Sequence, residues 1–232
     1  MSTTFERDHT AAPPRTPVAQ VWLRRAAPVA LGLITILLCG LFVDMPLAAF
    51  FRLDHSHPVY LVARYLTKYG EAQYFLVPAL ILGTATWRKW PQLSNRAWYV
   101  FWCVASSGIA VTLIKMLLGR ARPGMYFREG IHGFHFFETD ADFLSFPSGH
   151  STVFFAGFLS LAMLMPRWRV HFALLAAAFS FTRVLTGVHF LSDVIAGAML
   201  ATLFCVLLKD RILGMRAQTQ AAGETLPAGS LA

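Results

Sequence analysis

The chain has 232 residues, of which 56% are hydrophobic and only 14% charged, and its formal net charge is +8. Soluble domains carry about 25% charged residues, so this composition, with a mean hydropathy of +0.53, excludes an ordinary soluble enzyme and marks an integral membrane protein. In such a chain a basic excess belongs to cytoplasmic loops, and no nucleic-acid partner is expected.

Residues 1–20 are rich in Ser, Thr, charges and Pro13, Pro14 and Pro17, without apolar periodicity. They read as a disordered tail, not a secretory signal, because an apolar core is missing. Six apolar segments come next, at 26–43, 71–87, 97–118, 149–165, 170–187 and 191–208. Several fall short of the ~20 residues an isolated span needs, and Pro78 interrupts the second. Neighbouring helices can satisfy a carbonyl freed by proline. Between the first two, residues 46–68 mix Arg52, Asp54, Arg64 and Lys68 with Phe, Leu and Tyr, a pattern suited to an interfacial segment. Residues 213–232 form a second polar tail, leaving 21–212 as one six-span membrane domain. Cys39, Cys103 and Cys205 each lie in an apolar run. They make neither a disulfide framework nor a zinc pattern and read as packing residues.

The positive-inside rule orients the spans. With the N-terminus inside, the inner segments hold Arg7, Arg15, Arg24, Arg25, Arg88, Lys89, Arg96, Arg167, Arg169, Lys209, Arg211 and Arg216, a majority of the 20 basic residues. Both termini are expected in the cytoplasm. Trp22, Trp87, Trp90, Trp98 and Trp168 fall at span ends, as an aromatic belt requires. Lys115 and Arg183 then lie within spans, with Arg120 and Arg122 just beyond one. Charges at that depth are costly and mark functional sites by default.

Three clusters carry chemistry, and this topology brings all three to the outer face. Lys115 and Arg122 are seven apart, two helical turns, followed by Pro123; two cations sharing a helix face suit a multiply charged anion, although each could merely snorkel to the interface. Pro147-Ser148-Gly149-His150 opens the fourth span. Ser148 suits an N-cap, Gly149 permits close approach of a ligand, and His150 lies in the first turn at an anion-favouring helix N-terminus. Arg183-x5-His189-x3-Asp193 places His189 and Asp193 at i, i+4, so both share a face if the last helix extends back one turn. A carboxylate behind an imidazole fixes its tautomer and raises its basicity.

Together the segments KMLLGRARP at 115–123, PSGH at 147–150 and TRVLTGVHFLSD at 182–193 resemble the type-2 phosphatidic acid phosphatases, relatives of the vanadium-dependent haloperoxidases. The family pattern is Lys-x6-Arg-Pro, Pro-Ser-Gly-His and Ser-Arg-x5-His-x3-Asp; Thr182 stands where serine is usual and keeps the hydroxyl. The resemblance implies an all-α integral membrane six-helix bundle and a membrane-embedded lipid phosphatase with a lipid phosphate as substrate. It implies that Lys115, Arg122, Arg183, Ser148 and Gly149 bind the phosphate, His189 is the nucleophile, Asp193 orients it and His150 is the acid and base. No metal ligand set and no cofactor are implied. The substrate classes in view are undecaprenyl diphosphate, phosphatidylglycerol phosphate, phosphatidate and the phosphates of lipid A, with the site on the outer, periplasmic face of a bacterial inner membrane.

Two rivals share these residues. A phosphotransferase would pass the phosphate to a lipid hydroxyl, and a non-catalytic binder would have no need of His150, His189 and Asp193 together. A vanadate peroxidase fits poorly with six hydrophobic spans. The outer loop after Arg122, with Tyr126, Phe127, Phe134, Phe136 and Phe137, is the expected seat of selectivity. His132 and His135 read as solvated loop residues. The sequence does not specify an oligomeric state.

Overall fold

The computed structural model describes residues 18–214. Most of the two expected tails lies outside the described residues, but Val18–Gln20 and Leu213–Gly214 are helical, so the membrane domain extends slightly beyond both expected boundaries.

Nine α-helices make up the described chain: α1 Val18–Leu38, α2 Asp44–Phe50, α3 Pro58–Thr67, α4 Gln73–Thr86, α5 Pro91–Leu118, α6 Pro123–Glu129, α7 Gly149–Leu164, α8 Arg169–Leu185 and α9 Leu191–Lys209. A π-helical turn, Cys39–Val43, joins α1 to α2. The first apolar segment therefore runs on to Phe50. The expected interfacial segment 46–68 is split between the end of this first helix and the separate short helix α3. Pro78 is accommodated inside α4.

Six long helices stand where six spans were expected, and the molecule is an all-helical membrane bundle. By length and composition three helical stretches can cross a membrane alone: Ala26–Phe50, Pro91–Leu118 and Leu191–Gly214. Helices α4, α7 and α8 have 14, 16 and 17 residues, less than the ~20 that a bilayer core demands.

Helix α7 is the centre of the bundle, packed against α5, α8 and α9. Without a hydrophobic driving force in lipid, helices associate where small side chains allow close packing. Here Val104, Val153, Ala156 and Ala201 meet in one buried cluster, and Tyr99, Cys103 and Cys205 in another. The Tyr99 hydroxyl donates to the Cys205 carbonyl at 2.8 Å. The three cysteines are free, two of them buried as packing residues. Helix α1 lies against α9 with most of its surface turned outward.

Gly197 in α9 permits a close approach of two helices. A Cβ there would lie 2.6 Å from the Ser148 carbonyl oxygen and 3.0 Å from Thr152 Oγ1. This contact sets α9 against the start of α7, where two of the three motifs meet. Gly197→Ala should therefore destabilise the fold by about 1–3 kcal/mol through overpacking. Gly108→Ala, in α5 with nothing within 4 Å of its added carbon, should leave stability unchanged or slightly raised. Thermal unfolding of both variants in detergent checks the contrast; equal effects would contradict it.

Candidate active site

The chain forms the site where α5, α7, α8 and α9 present their loop-side ends. Helix α5 stops at Leu118 because Gly119 adopts φ +57°, with its N–H on the Lys115 carbonyl at 2.9 Å. A side chain at Gly119 would collide with the His135 carbonyl oxygen, 1.8 Å from the built carbon. Lys115 and Arg122 therefore do not share one helix face, as their spacing suggests. Lys115 is in the last turn of α5, while Arg122 is extended (φ −75°, ψ 158°) ahead of α6. The chain reverses because residues 133–145 fold back on it. His135 N–H donates to Gly119 O, Ala121 N–H to Gly133 O, Arg122 N–H to Asp142 O and Ser145 N–H to Arg120 O.

The second motif lies as expected. Ser148 caps α7, its hydroxyl accepting from Ser151 Oγ at 3.0 Å and, more weakly, from the Ser151 N–H at 3.4 Å. Its own backbone N–H donates to the Asp193 carbonyl at 3.0 Å. Gly149 faces Lys115: a Cβ at Gly149 would sit 3.7 Å from Lys115 Nζ. His150 is in the first turn, partly exposed, packed over Gly70. Lys115, Arg122 and Arg183 lie within electrostatic reach of it.

In the third motif, the shared helix face is replaced by a turn. Helix α9 begins at Leu191, so His189 lies before it. Asp193 reaches back across the helix start, and its Oδ2 accepts from the Phe190 N–H at 2.9 Å and the Ser145 hydroxyl at 2.6 Å. The same oxygen is 3.6 Å from His189 Nδ1, too long for a hydrogen bond. Ser145 Oγ is 3.4 Å from that nitrogen. With the Ser145 proton on Asp193, this arrangement assigns the imidazole proton to Nδ1 and leaves Nε2 with its lone pair. Burial pushes the His189 imidazole from its ordinary 6.5 down to about 3; Asp193 pulls the other way, and Arg183 and Lys115 add to the downward push. The neutral form of the imidazole is therefore the favoured one at neutral pH.

The three expected cations meet here with donors to spare. Lys115 Nζ donates to the Leu144 carbonyl at 2.9 Å, and Arg183 Nη1 to Thr67 Oγ1 at 2.7 Å. The Nε atoms of both Arg122 and Arg183 are buried without a partner. Buried guanidinium donors left open in this way suit an anionic guest, since an unpaired buried donor is otherwise unfavourable.

The PAP2 superfamily pattern matches residues 96–212, the stretch that holds all three motifs. Over 205 residues, 83% of either chain, the protein is 33% identical to a lipid A 1-phosphatase of Rhizobium johnstonii. The chain belongs to the PAP2 superfamily. It is a multi-pass membrane lipid phosphatase. A lipid A 1-phosphatase of Rhizobium etli is 37% identical over 154 residues, 61% of this chain and 66% of that one. Two crystal structures share its fold. The Bacillus subtilis transmembrane PAP2-type phosphatidylglycerolphosphate phosphatase superposes with a TM-score of 0.56 at 21% identity, over 87% of this chain and 98% of that one. Aquifex aeolicus LpxE gives 0.55 at 18% identity, over 71% and 93%.

Around this PAP2 site the structure adds residues to which sequence reasoning gives no role. Arg120 joins two buried carboxylates, Nη1 to Asp193 Oδ1 at 2.5 Å and Nη2 to Asp44 Oδ2 at 2.8 Å. Ser192 completes the link, its N–H on Asp44 Oδ1 at 2.9 Å and its hydroxyl on Asp44 Oδ2. Phe190, Phe134 and Phe146 surround the guanidinium at 4.5, 5.6 and 5.9 Å. The sequence marks Arg120 as a cation at unusual depth but does not single out Asp44. A carboxylate within a 25-residue apolar stretch, Ala26–Phe50, nevertheless carries the same signal.

Two measurements test this arrangement. Arg120→Ala leaves Asp44 and Asp193 buried without their shared cation, and should cost about 3–5 kcal/mol of stability, visible as a lowered unfolding temperature that Arg120→Lys partly restores. Labelled-histidine NMR should show the His189 ring neutral at pH 5, as a signal missing from His189→Gln; a His189 signal titrating near its ordinary 6.5 would contradict the buried environment.

Proposed function

We propose that this chain removes the phosphate of a lipid A-type glycolipid, at the 1-position, through a phosphohistidine intermediate and without a metal ion. The observation that carries the reading is the buried His189 beside Asp193, with Lys115 and Arg183 within electrostatic reach of it and Arg122 within reach of both cations. The two Rhizobium relatives direct it toward lipid A.

The reaction runs in two displacements. Lys115, Arg122 and Arg183 hold the phosphate oxygens, with the Ser148 hydroxyl and the Gly149 amide, and stabilise the charge spread over them as phosphorus transfers. His189 Nε2 attacks phosphorus. The bond to the glycolipid oxygen breaks as His150, protonated once the anionic phosphate is bound among the cations, gives that oxygen its proton. Asp193 stabilises the positive charge that His189 acquires. A water molecule, losing its proton to His150, then attacks the phosphohistidine, the P–N bond breaks, and inorganic phosphate leaves. Fixed cations take the place that metal ions fill in many phosphoryl-transfer sites.

The site is read as facing the periplasm. The α4–α5 connection with Arg88, Lys89 and Arg96, the α7–α8 connection with Arg167 and Arg169, and Lys209 and Arg211 all lie at the opposite end of the bundle. Trp87, Trp90 and Trp168 are exposed at that same end. Basic loops flanked by tryptophans support a cytoplasmic assignment for it.

Purified protein in detergent with EDTA should release phosphate from lipid A faster than from phosphatidate, phosphatidylglycerol phosphate or undecaprenyl diphosphate. His189→Ala should lower kcat at least about a thousandfold. Release by His189→Ala equal to that of the unaltered protein sinks the histidine mechanism, whereas a different substrate ranking sinks only the lipid A reading. Appearance of a doubly phosphorylated lipid instead of free phosphate would make the enzyme a transferase.

A further inference from the structure

Beside the phosphate site lies a second, open cavity of about 220 Å³, bounded by the α2–α3 connection, α6 and the turn after α8. Arg52, His55, Tyr60, Phe127, Arg128 and Gly187 are among its lining residues. Its lining segments adjoin the site along the chain. Gly187 sits between Arg183 and His189, and α6 begins directly after Arg122. Helix α3 joins the two places, giving Tyr60 to the cavity and Thr67 to Arg183. Seven residues of α-helix separate these, about 10 Å. The cavity thus lies roughly one to two helical turns beyond the reacting phosphate, within reach of a short glycan headgroup.

Its lining is chemically specific. Arg128 is held by Asp142 at 2.8 Å, so its charge is already shared. Arg52 is exposed, has its guanidinium 5.0 Å from the Phe127 ring centre, and has no carboxylate within salt-bridge distance among the described residues. The nearby Asp54 is engaged by the Ser56 N–H and hydroxyl at 2.8 and 2.7 Å. His55 stacks on Tyr60, centroids 4.8 Å apart at 20°. Flat rings with polar edges, beside one uncommitted guanidinium, match a sugar ring that bears a phosphate: the rings pack against its apolar face and the fork grips the oxygens.

We infer that this cavity is a headgroup subsite that takes a second, non-scissile phosphate on the glycan of the substrate, with Arg52 as its ligand. The inference rests on the glycolipid reading of the preceding section and adds the source of its selectivity. A glycolipid with two phosphates would span both places, with one phosphate at His189 and the other at Arg52. A lipid with a single phosphate and no glycan would leave the cavity unused.

Three substrates separate the cases: lipid A with both phosphates, the same glycolipid with only the scissile phosphate, and phosphatidate. Arg52→Ala should raise KM for the bisphosphorylated glycolipid by about 10- to 100-fold, the loss of one charge-assisted contact, with kcat unchanged. KM for the other two should stay as in the unaltered protein, which also shows that the variant is folded. Arg52→Lys should recover part of the loss. An unchanged KM for the bisphosphorylated substrate, or an equal rise for all three, overturns the subsite. Failure of the unaltered protein to act on either glycolipid, with phosphatidate still hydrolysed, overturns the glycolipid reading itself and is seen without any variant.

Discussion

The site depends on one cation held between two buried carboxylates. Arg120 reaches Asp193 on one side and Asp44 on the other, and each pairing alone would be doubtful in a membrane bundle because removing charges from water costs several kcal/mol per ion. Together they form a closed unit in which the guanidinium fork satisfies both acids and Ser192 supplies the remaining donors. Asp193 is thereby locked from behind while its other oxygen serves Ser145, the Phe190 amide and the His189 ring. The unit also joins three distant parts of the chain. Asp44 begins α2, Arg120 lies in the loop after α5, and Ser192 and Asp193 are at the start of α9.

That linkage explains features that look unrelated in isolation. The π-helical turn Cys39–Val43 comes immediately before Asp44, in a helix otherwise turned outward. A π-turn shifts the register of the residues beyond it, and such turns gather at functional sites. Here it aims one acid inward from a peripheral helix. The reversal at Gly119 takes Arg120 off the helix and sets it among Phe134, Phe146 and Phe190. The fold-back of residues 133–145 brings Ser145 beneath Asp193 and the Leu144 carbonyl to Lys115. The loop expected to govern specificity is thus also a structural wall of the site. Its exposed Phe136 and Phe137 remain free to meet the membrane interface.

Electrostatics divides the labour. Around the proposed phosphate position lie Lys115, Arg122 and Arg183, with donors left unpaired. Behind His189 lies the Asp193 carboxylate, which shares the Arg120 cation with Asp44. A phosphate entering the site would thus meet a net positive field, while burial keeps the His189 ring neutral with Nε2 unprotonated. Preorganised charge of this kind is the main resource of phosphoryl transfer.

Much of this was legible in the amino-acid order. Apolar runs mark helices wherever they occur, proline and glycine punctuate them, and a bilayer makes a buried charge so costly that Lys115, Arg183 and the arginines beyond Leu118 stand out unaided. Ser148 was readable as a cap, and His150 as a first-turn residue, because both properties are local. What the sequence could not decide was everything that depends on a chain reversal. The seven-residue spacing of Lys115 and Arg122 and the four-residue spacing of His189 and Asp193 both look helical, yet each pair meets across a turn. The partners of Arg120 come from 76 and 73 residues away. Spacing reports neighbours along one helix; the approach of α9 to α7 at Gly197 and the fold-back onto Gly119 are set by packing between helices. Only the tertiary structure could therefore show that Asp44, Arg120, Ser145 and Ser192 stand behind the histidine that the motif announced.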